Sequence, residues 1–296
     1  MATSQTNISA TFKTILFATD FSPCSSSAVP YVSGLAHCFD SRIIAVHAVP
    51  FEPLSGLTAV PPALEFDMEW RASLQDMRTY EASDPFAGLR HEFLLEKGFL
   101  RDVVTNVVAQ KHVDLVVVGT HGRQGFHKVF GGSFAEELLR TVDCPILTVG
   151  PGAHHTTPAD SWKPRRIVFA TEFDGGSLHA LPLAIALADA NDGSLLVMHA
   201  LPLVPWEQQN DLNGPYEQRL RNLVSEDLPH HCSVDFTVQF DLAAPAILSV
   251  AEETEADLIV MGVHHARLPK IDAHVPGTTA AEVIANARCP VLTVCG

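Results

Sequence analysis

Short, continuous runs of apolar residues recur along the chain and alternate with longer stretches of mixed polarity. In the first half these runs are rich in Val and Ile, which is typical of strands in a parallel sheet covered on both faces. They predict strands near 13–19, 42–49, 90–96, 113–119 and 145–149. The stretches between them predict helices near 23–39, 64–82, 100–111 and 132–141. This alternation predicts right-handed βαβ crossovers and an α/β, doubly wound sheet.

The second half of the chain repeats the first. Four segments recur in the same order, and they pair as 14–21 with 166–173, 42–50 with 194–202, 113–119 with 256–262 and 144–149 with 289–294. Such a series indicates a duplicated domain. We therefore predict one domain at 1–150, a linker at 151–164 that is rich in Gly, Pro, His and Thr, and a second domain at 165–296.

The charge of the chain narrows its range of partners. Nineteen Lys and Arg stand against 34 Asp and Glu, for a formal charge of −15, without a local basic cluster. An acidic surface repels polyphosphate backbones, so nucleic acid is not expected as a partner. The first 13 residues lack a signal-peptide pattern, and no apolar run reaches the roughly 20 residues that span a bilayer. A cytoplasmic location without membrane contact is the expectation.

Candidate chemistry lies where the predicted strands of the first half end. Ligands of open parallel sheets bind beyond the carboxyl ends of the strands, at the crevice where strand order reverses. Asp20 follows the first strand, and Gly119 closes the fourth. The spacing Gly-x2-Gly-x9-Gly-Ser then leads into a helix through Gly119, Gly122, Gly132 and Ser133. Glycines and a helix N-terminus suit a phosphate, whose charge Arg123 or Lys128 would neutralise.

This segment resembles the nucleotide-binding motif of the universal stress protein family, and the likeness extends over nearly the whole chain, once per half. In family members that bind ATP, the Asp after strand one and the backbone around a Val of strand two hold the adenosine, while the glycine loop holds the phosphates. Carried over residue by residue, this nominates Asp20, Val46, Gly119, Gly122, Gly132 and Ser133. The spacing alone does not decide whether Mg²⁺ accompanies the ATP.

The resemblance also implies an architecture. It implies two tandem flavodoxin-like or Rossmann-like domains, each with a five-stranded parallel sheet, packed against each other as an intramolecular pseudo-dimer. It implies a stress-response protein that binds ATP in its first domain and acts as a sensor or regulatory module rather than a metabolic enzyme. Protein partners, a further homodimer and weak ATP hydrolysis are left open.

The second half departs from the motif. Glu172 stands where Asp20 stood, and His265 replaces the glycine that corresponds to Gly122. The following loop is two residues longer before Gly277-Thr278. A side chain in place of a close-approach glycine obstructs the backbone, so we expect the second domain to be degenerate for ATP.

Other interpretations of these residues stay open. Asp20 could be a helix cap, although Ser22 before Pro23 is the predicted N-cap. His47 and His199 end matching strands, which favours a structural hydrogen-bonding role. His264, His265 and His274 are the candidate ligands for a metal ion. The alternative functions are a protein-interaction scaffold with vestigial pockets, and a carrier of another small ligand or metal in the second domain.

Overall fold

A computed structural model of the chain describes residues 12–21, 25–50, 62–119, 138, 141–153, 162–224, 231–263 and 278–295. The chain divides into two compact units. The first unit spans Phe12–Trp162, and the second includes Lys163–Gly296. No helix among the described residues is both long enough and apolar enough to cross a membrane.

The first unit is a parallel sheet with helices between its strands. Its described strands are β1 (Thr14–Ala18), β2 (Arg42–Val49), β3 (Arg90–Lys97), β4 (Leu115–Gly119) and β5 (Ile146–Val149). A 3₁₀ turn at Ser25–Ala28 leads into α1 (Val29–Phe39), and α2 (Pro62–Ala82) and α3 (Leu100–Lys111) follow. The strands pair in the order β3-β2-β1-β4-β5, which is the Rossmann-like order, with the switch point between β1 and β4.

The second unit repeats this plan. Its described strands are β6 (Arg166–Ala170), β7 (Ser194–Leu201), β8 (Ser233–Phe240), β9 (Leu258–Val263) and β10 (Val291–Cys295). Its helices are α4 (Gly175–Leu178), α5 (Leu181–Ala190), α6 (Trp206–Arg221), α7 (Ala243–Glu253) and α8 (Thr279–Asn286). The strand order β8-β7-β6-β9-β10 mirrors that of the first unit. The predicted α/β, doubly wound fold in two tandem domains is confirmed.

The degree of burial explains which strands have apolar sequences. The central strands β1 and β4 are almost completely buried, because helices cover both of their faces. β3 and β8 lie at the end of their unit's strand order; β3 carries exposed and half-buried charged residues along its length, and β8 carries the exposed Asp235. Charges on such strands discourage pairing with other chains.

An aspartate fixes the start of the first strand in each unit. Asp114 Oδ2 accepts the backbone N–H groups of Lys13 and Thr14 at 2.8 and 2.9 Å. In the second unit, Asp257 Oδ2 accepts the N–H groups of Arg165 and Arg166 at 3.2 and 2.8 Å. These contacts hold the amino ends of neighbouring strands together, at the edge of the sheet opposite to the candidate site.

Part of the predicted linker packs on the first unit. Trp162 is 5% exposed, and its ring meets that of Tyr31 edge-on, with centroids 4.9 Å apart. A Cβ on Gly34 of α1 would overlap the carbonyl oxygen of Trp162. The glycine therefore allows the chain to cross α1 closely at this point.

Candidate functional site

A threonine-centred turn shapes the end of β1. Thr19 Oγ1 is hydrogen-bonded to Ser25 Oγ at 2.8 Å and accepts the N–H of Phe21 at 3.0 Å. Phe21 has φ of 57°, in the left-handed region that non-glycine residues rarely occupy. This turn takes the chain out of the sheet directly after β1 and leaves Asp20 half-buried at its rim.

The second unit contains the same turn. Thr171 Oγ1 is hydrogen-bonded to Ser177 Oγ at 2.9 Å and accepts the N–H of Phe173 at 3.0 Å, and Phe173 has φ of 64°. Here Asp174 caps α4, accepting the N–H of Ser177 at 2.7 Å. Asp174 corresponds to Ser22 of the first half and not to Asp20. The duplicate thus disfavours the interpretation of Asp20 as a helix cap.

A histidine supports each turn from the neighbouring strand. His47 Nδ1 lies 3.0 Å from the carbonyl oxygen of Thr19, and His199 Nδ1 lies 2.7 Å from that of Thr171. Burial lowers the pKa of both imidazoles below the usual value of 6.5, so both are neutral at pH 7. A neutral ring with Nδ1–H donates to the carbonyl. The predicted structural hydrogen bonds are therefore present in both units.

The described part of the first site is acidic. Glu69, Ser73, Asp76 and Tyr80 share one face of α2, at helical spacing, and this face packs beside β2. Ser73 Oγ lies 3.4 Å from His47 Nε2. The charges of Asp20, Glu69 and Asp76 act on His47, in the direction opposite to burial. The pKa of Tyr80 is raised by burial first and by the charge of Asp20 as well.

The backbone of β2 offers polar groups at the same edge. Backbone groups alternate sides along a strand, so Val46 and Ala48 both present theirs toward β1. The side chain of Val46 is fully buried, and its carbonyl accepts the N–H of Thr19 at 2.9 Å. Because β1 ends at Ala18, level with Val46, the chain beyond Thr19 has left the sheet. The N–H and C=O of Ala48 therefore face the space beyond the end of β1.

Gly119 borders the same space from the other side of β1. Ala18 pairs with Val118, so Gly119 lies level with Thr19 and one residue below Asp20. A Cβ placed on Gly119 would come no closer than 3.8 Å to Ser25, which is an ordinary van der Waals distance. The described residues alone thus leave room at this position for a side chain or a ligand.

The corresponding glycine of the second unit has no such room. A Cβ on Gly262 would overlap Ser177 Cα and the carbonyl oxygen of Gly176. Ser177 corresponds to Ser25, and the sequence has Cys24 where the second half has Gly176. Two glycines therefore let the backbone of α4 rest more closely on the end of β9 than the described backbone at Ser25 rests on Gly119.

Aromatic and cationic side chains of α6 lie against the threonine-centred turn of the second unit. The ring of Tyr216 stacks on that of His199, with centroids 5.4 Å apart and planes inclined by 4°. The guanidinium of Arg219 lies 4.0 Å from the centre of the Phe173 ring. In the second unit these side chains of α6 contact the threonine-centred turn. In the first unit the corresponding helix, α2, presents Ser73 and carboxylates to the equivalent turn.

Several predicted residues lie outside the described residues. They are Gly122, Arg123, Lys128, Gly132 and Ser133 of the glycine loop, and His264, His265 and His274 of the candidate metal loop. Among the residues that the structure does describe, no group of three or more His, Cys, Asp or Glu side chains is arranged to hold a metal ion. The structure brings together Asp20, the backbone of β2 around Val46, and Gly119.

Comparison with known proteins gives the family. The model of the universal stress protein family matches residues 11–150 and again residues 163–294. The chain belongs to the universal stress protein family. It shares that family's role in the stress response, and the predicted resemblance is confirmed for both halves.

Individual universal stress proteins match one half of the chain or the whole of it. Universal stress protein MJ0531 of Methanocaldococcus jannaschii is 27% identical over 144 residues, which cover 47% of this chain and 82% of that protein. Universal stress protein A homolog 1 of Coxiella burnetii is 27% identical over 145 residues, covering 47% and 96%. The crystal structure of a universal stress protein from Archaeoglobus fulgidus aligns over 96% of this chain and 97% of its own, with a TM-score of 0.67 and 20% identity. This last match shows the shared fold.

Sequence reasoning missed two features of this universal stress protein. It did not identify Ala48 as the residue whose backbone faces the site, because an alanine in an apolar run carries no chemical signal. It also did not single out Thr19 and Thr171. The repeated triplet Thr-Asp/Glu-Phe was a usable signal, since both halves keep the threonine and the phenylalanine.

Proposed function

We propose that the first unit binds ATP and that the second unit does not, so that the protein is a nucleotide-responsive regulatory module of the stress response rather than a metabolic enzyme. The observation that carries this proposal is the difference between the two equivalent glycines. Among the described residues, an added Cβ on Gly119 makes only ordinary contacts, with Ser25 and Ala28, whereas an added Cβ on Gly262 overlaps the backbone of α4. The glycine motif quoted above supports ATP as the nucleotide.

The distribution of charge supports one orientation of the nucleotide. Asp20, Glu69 and Asp76 act together on His47, so this end of the site repels phosphates. The uncharged adenine and ribose belong at this end, with the N–H and C=O of Ala48 toward the base edge and Asp20 toward a ribose hydroxyl. The phosphates then extend past Gly119 toward the glycine loop, where the sequence supplies Arg123 and Lys128.

The matched acidic residues of the two units provide the test. Asp20→Ala removes the carboxylate of the first site, and Glu172→Ala removes its counterpart in the second. In titration calorimetry with ATP, we expect one binding event per chain. Asp20→Ala should weaken it by about tenfold or more, because a hydrogen bond to a charged group contributes about 1.5–3 kcal/mol. Glu172→Ala should bind as the wild type does.

The same experiment separates the alternatives. Equal affinity in wild type and Asp20→Ala, or a loss confined to Glu172→Ala, would place the nucleotide elsewhere than in the first unit. Absence of ATP binding in the wild type would favour the scaffold. Steady-state release of phosphate that Asp20→Ala abolishes would make the protein an ATPase as well as a binding module.

A further inference from the structure

The large hydrophobic side chains that are exposed lie at equivalent places in the two units. Among the described residues they are 51–72% exposed, and they are Leu64, Met68, Phe99, Leu203, Trp206 and Leu242. Phe99 and Leu242 are the N-cap residues of α3 and α7. Leu64 and Met68 lie in the first turns of α2, and Trp206 begins α6. Isolated exposed apolar residues need no explanation, but this recurrence at one edge of each unit does.

In the second unit three of them lie at one edge, and we call this group the LWL patch: Leu203, Trp206 and Leu242. β7 and β8 are paired, with Leu201 level with Phe240 at their ends. Leu203 and Leu242 therefore each follow the end of their strand by two residues, on strands that lie about 4.8 Å apart. Trp206 begins the helix that packs on these two strands. The LWL patch thus lies at the carboxyl edge of β7 and β8.

The segment that carries the LWL patch is held in place by hydrogen bonds. Gln209 Nε2 donates to the carbonyl oxygen of Val204 at 3.0 Å, and Gln208 N–H donates to that of Pro205 at 2.9 Å. A surface that is ordered in advance loses less conformational entropy when it binds. The exposed tryptophan is the residue type most typical of energetic hot spots in interfaces.

The charged residues next to the LWL patch in the sequence are acidic. Glu207 and Asp241 adjoin Trp206 and Leu242 in the chain, and residues 167–218 and 222–266 contain neither Lys nor Arg. The nearest cation along α6 is Arg219, about 20 Å from Trp206, and its guanidinium lies over Phe173. An acidic rim around an apolar centre is complementary to a segment that carries apolar and basic side chains.

The equivalent place in the first unit differs in charge. Lys97 and Arg101 flank Phe99, and Arg71 follows Met68 by one helical turn. The Nζ of Lys97 lies 5.1 and 5.4 Å from the ring centres of Phe66 and Trp70. Cations thus stand beside the apolar residues of the first unit, mixed with acidic residues: Asp67 and Glu69 adjoin Met68, and Arg101 is paired with Asp102. This mixed charge attracts a basic segment less than the acidic residues beside the LWL patch do.

We propose that the LWL patch docks an amphipathic segment of a partner protein, with apolar side chains on Leu203, Trp206 and Leu242 and Lys or Arg against Glu207 and Asp241. This mode of binding corresponds to helix recognition, in which an amphipathic helix places its apolar face on an exposed hydrophobic surface. This surface is independent of the nucleotide proposal, because no residue of the LWL patch belongs to the candidate nucleotide site.

A peptide probe tests the proposal on the full chain. The probe is a fluorescein-labelled helix of Leu and Lys, about 18 residues long, with its leucines on one face. Fluorescence anisotropy should show one saturable site per chain. Trp206→Ser or Leu242→Ser should weaken binding by about tenfold or more, as expected for a buried anchor. Met68→Ser and Phe99→Ser are the matched controls in the first unit and should bind the probe as the wild type does. All four side chains are exposed, and circular dichroism checks that each variant is folded.

A second pair of variants tests the contribution of charge. Glu207→Gln combined with Asp241→Asn should weaken binding of the Leu/Lys helix and reduce its dependence on salt. A helix of Leu and Glu with the same pattern should bind the wild type at least about tenfold more weakly. Equal binding by a Gly/Lys peptide would contradict the proposal, because it would show charge attraction without apolar docking.

Three further results would overturn the proposal. The first is unchanged binding of the Leu/Lys helix to Trp206→Ser and Leu242→Ser, or an equal loss in the first-unit controls. The second is self-association of the wild type in sedimentation velocity that Trp206→Ser abolishes, since a second copy would then cover the LWL patch. The third is binding to phosphatidylcholine vesicles that Trp206→Ser abolishes, which would make the patch a membrane contact.

Discussion

Gly119 and Gly262 occupy equivalent positions at the ends of β4 and β9, and the two units surround them differently. At Gly262 an added Cβ overlaps the backbone of α4, while at Gly119 it meets only ordinary contacts among the residues that the structure describes. A motif comparison treats the two glycines as the same residue. In the structure, backbone packing requires a glycine at position 262, whereas the packing of the described residues does not require one at position 119.

Alanine substitution at these two positions should have opposite consequences. Gly262→Ala must displace the backbone of α4 and should destabilise the protein by about 1–3 kcal/mol, as overpacking does. Gly119→Ala should change the free energy of unfolding by less than about 1 kcal/mol and lower the affinity for ATP. Urea denaturation and ATP titration of both variants measure this. Equal destabilisation by the two changes would contradict the difference in packing.

The buried histidines make a prediction about pH. Burial lowers the pKa of His47 and His199 in the folded protein below the unfolded value of about 6.5. The unfolded chain therefore binds more protons as the pH falls below 6.5, and stability is lost from there toward the folded pKa. The double variant His47→Asn/His199→Asn should lose less stability between pH 7.5 and 5 than the wild type does.

An exposed histidine provides the control for this measurement. His179 lies on the surface of the second unit, and His179→Asn controls for the general effect of replacing a histidine by an asparagine. Denaturant midpoints at each pH compare the three proteins. A double variant with the wild-type slope would show that the two buried rings do not contribute to acid sensitivity.

At the scale of elements, the hydrophobic pattern predicted most of the described strands and helices of the first unit. The predicted and observed bounds of β2 and α3 coincide, and those of the other described strands differ by one or two residues. The pattern works here because central strands of a parallel sheet are buried on both faces. It could not show that Ser25–Ala28, inside the predicted helix at 23–39, form a 3₁₀ turn whose first residue is hydrogen-bonded to Thr19, since that contact joins residues outside the helical pattern.

The candidate site was predictable only in part, for a reason that also belongs to this scale. A side chain with a functional group, such as that of Asp20, can be recognised in the sequence. Backbone N–H and C=O groups cannot, because every residue has them, and the role of Ala48 depends on where β1 ends relative to β2. The packing of α4 on Gly262 depends on two glycines far apart in the sequence, which no local pattern connects.

The aspartates at the amino edge of the sheet should affect stability without affecting the site. Asp114→Ala removes the acceptor for the N–H groups of Lys13 and Thr14. We expect a loss of about 1–2 kcal/mol in the free energy of unfolding, with unchanged affinity for ATP, because the site lies at the opposite edge. Asp114→Asn keeps one acceptor oxygen and should lose less. A loss of ATP affinity at constant stability would contradict this separation.

At the scale of the molecule, duplication allows the two units to diverge while they keep one fold. Both units retain the threonine turn, its supporting histidine and the aspartate at the amino edge. Among the described residues they differ in how closely the backbone packs on the strand-end glycine, and they differ in the charges next to their exposed apolar residues in the sequence. Features that both units share are explained by folding, and features found in one unit are the candidates for function. The predicted pseudo-dimer and the cytoplasmic location stay predictions.

The most direct test of the central claim is native mass spectrometry of the purified full chain with added ATP, followed by identification of the small molecules that denaturation releases. The account predicts one ATP per chain, lost in Asp20→Ala and retained in Glu172→Ala. Two ATP per chain would contradict the proposal that α4 closes the second site. No adenine nucleotide at millimolar ATP would contradict the nucleotide function of the first unit.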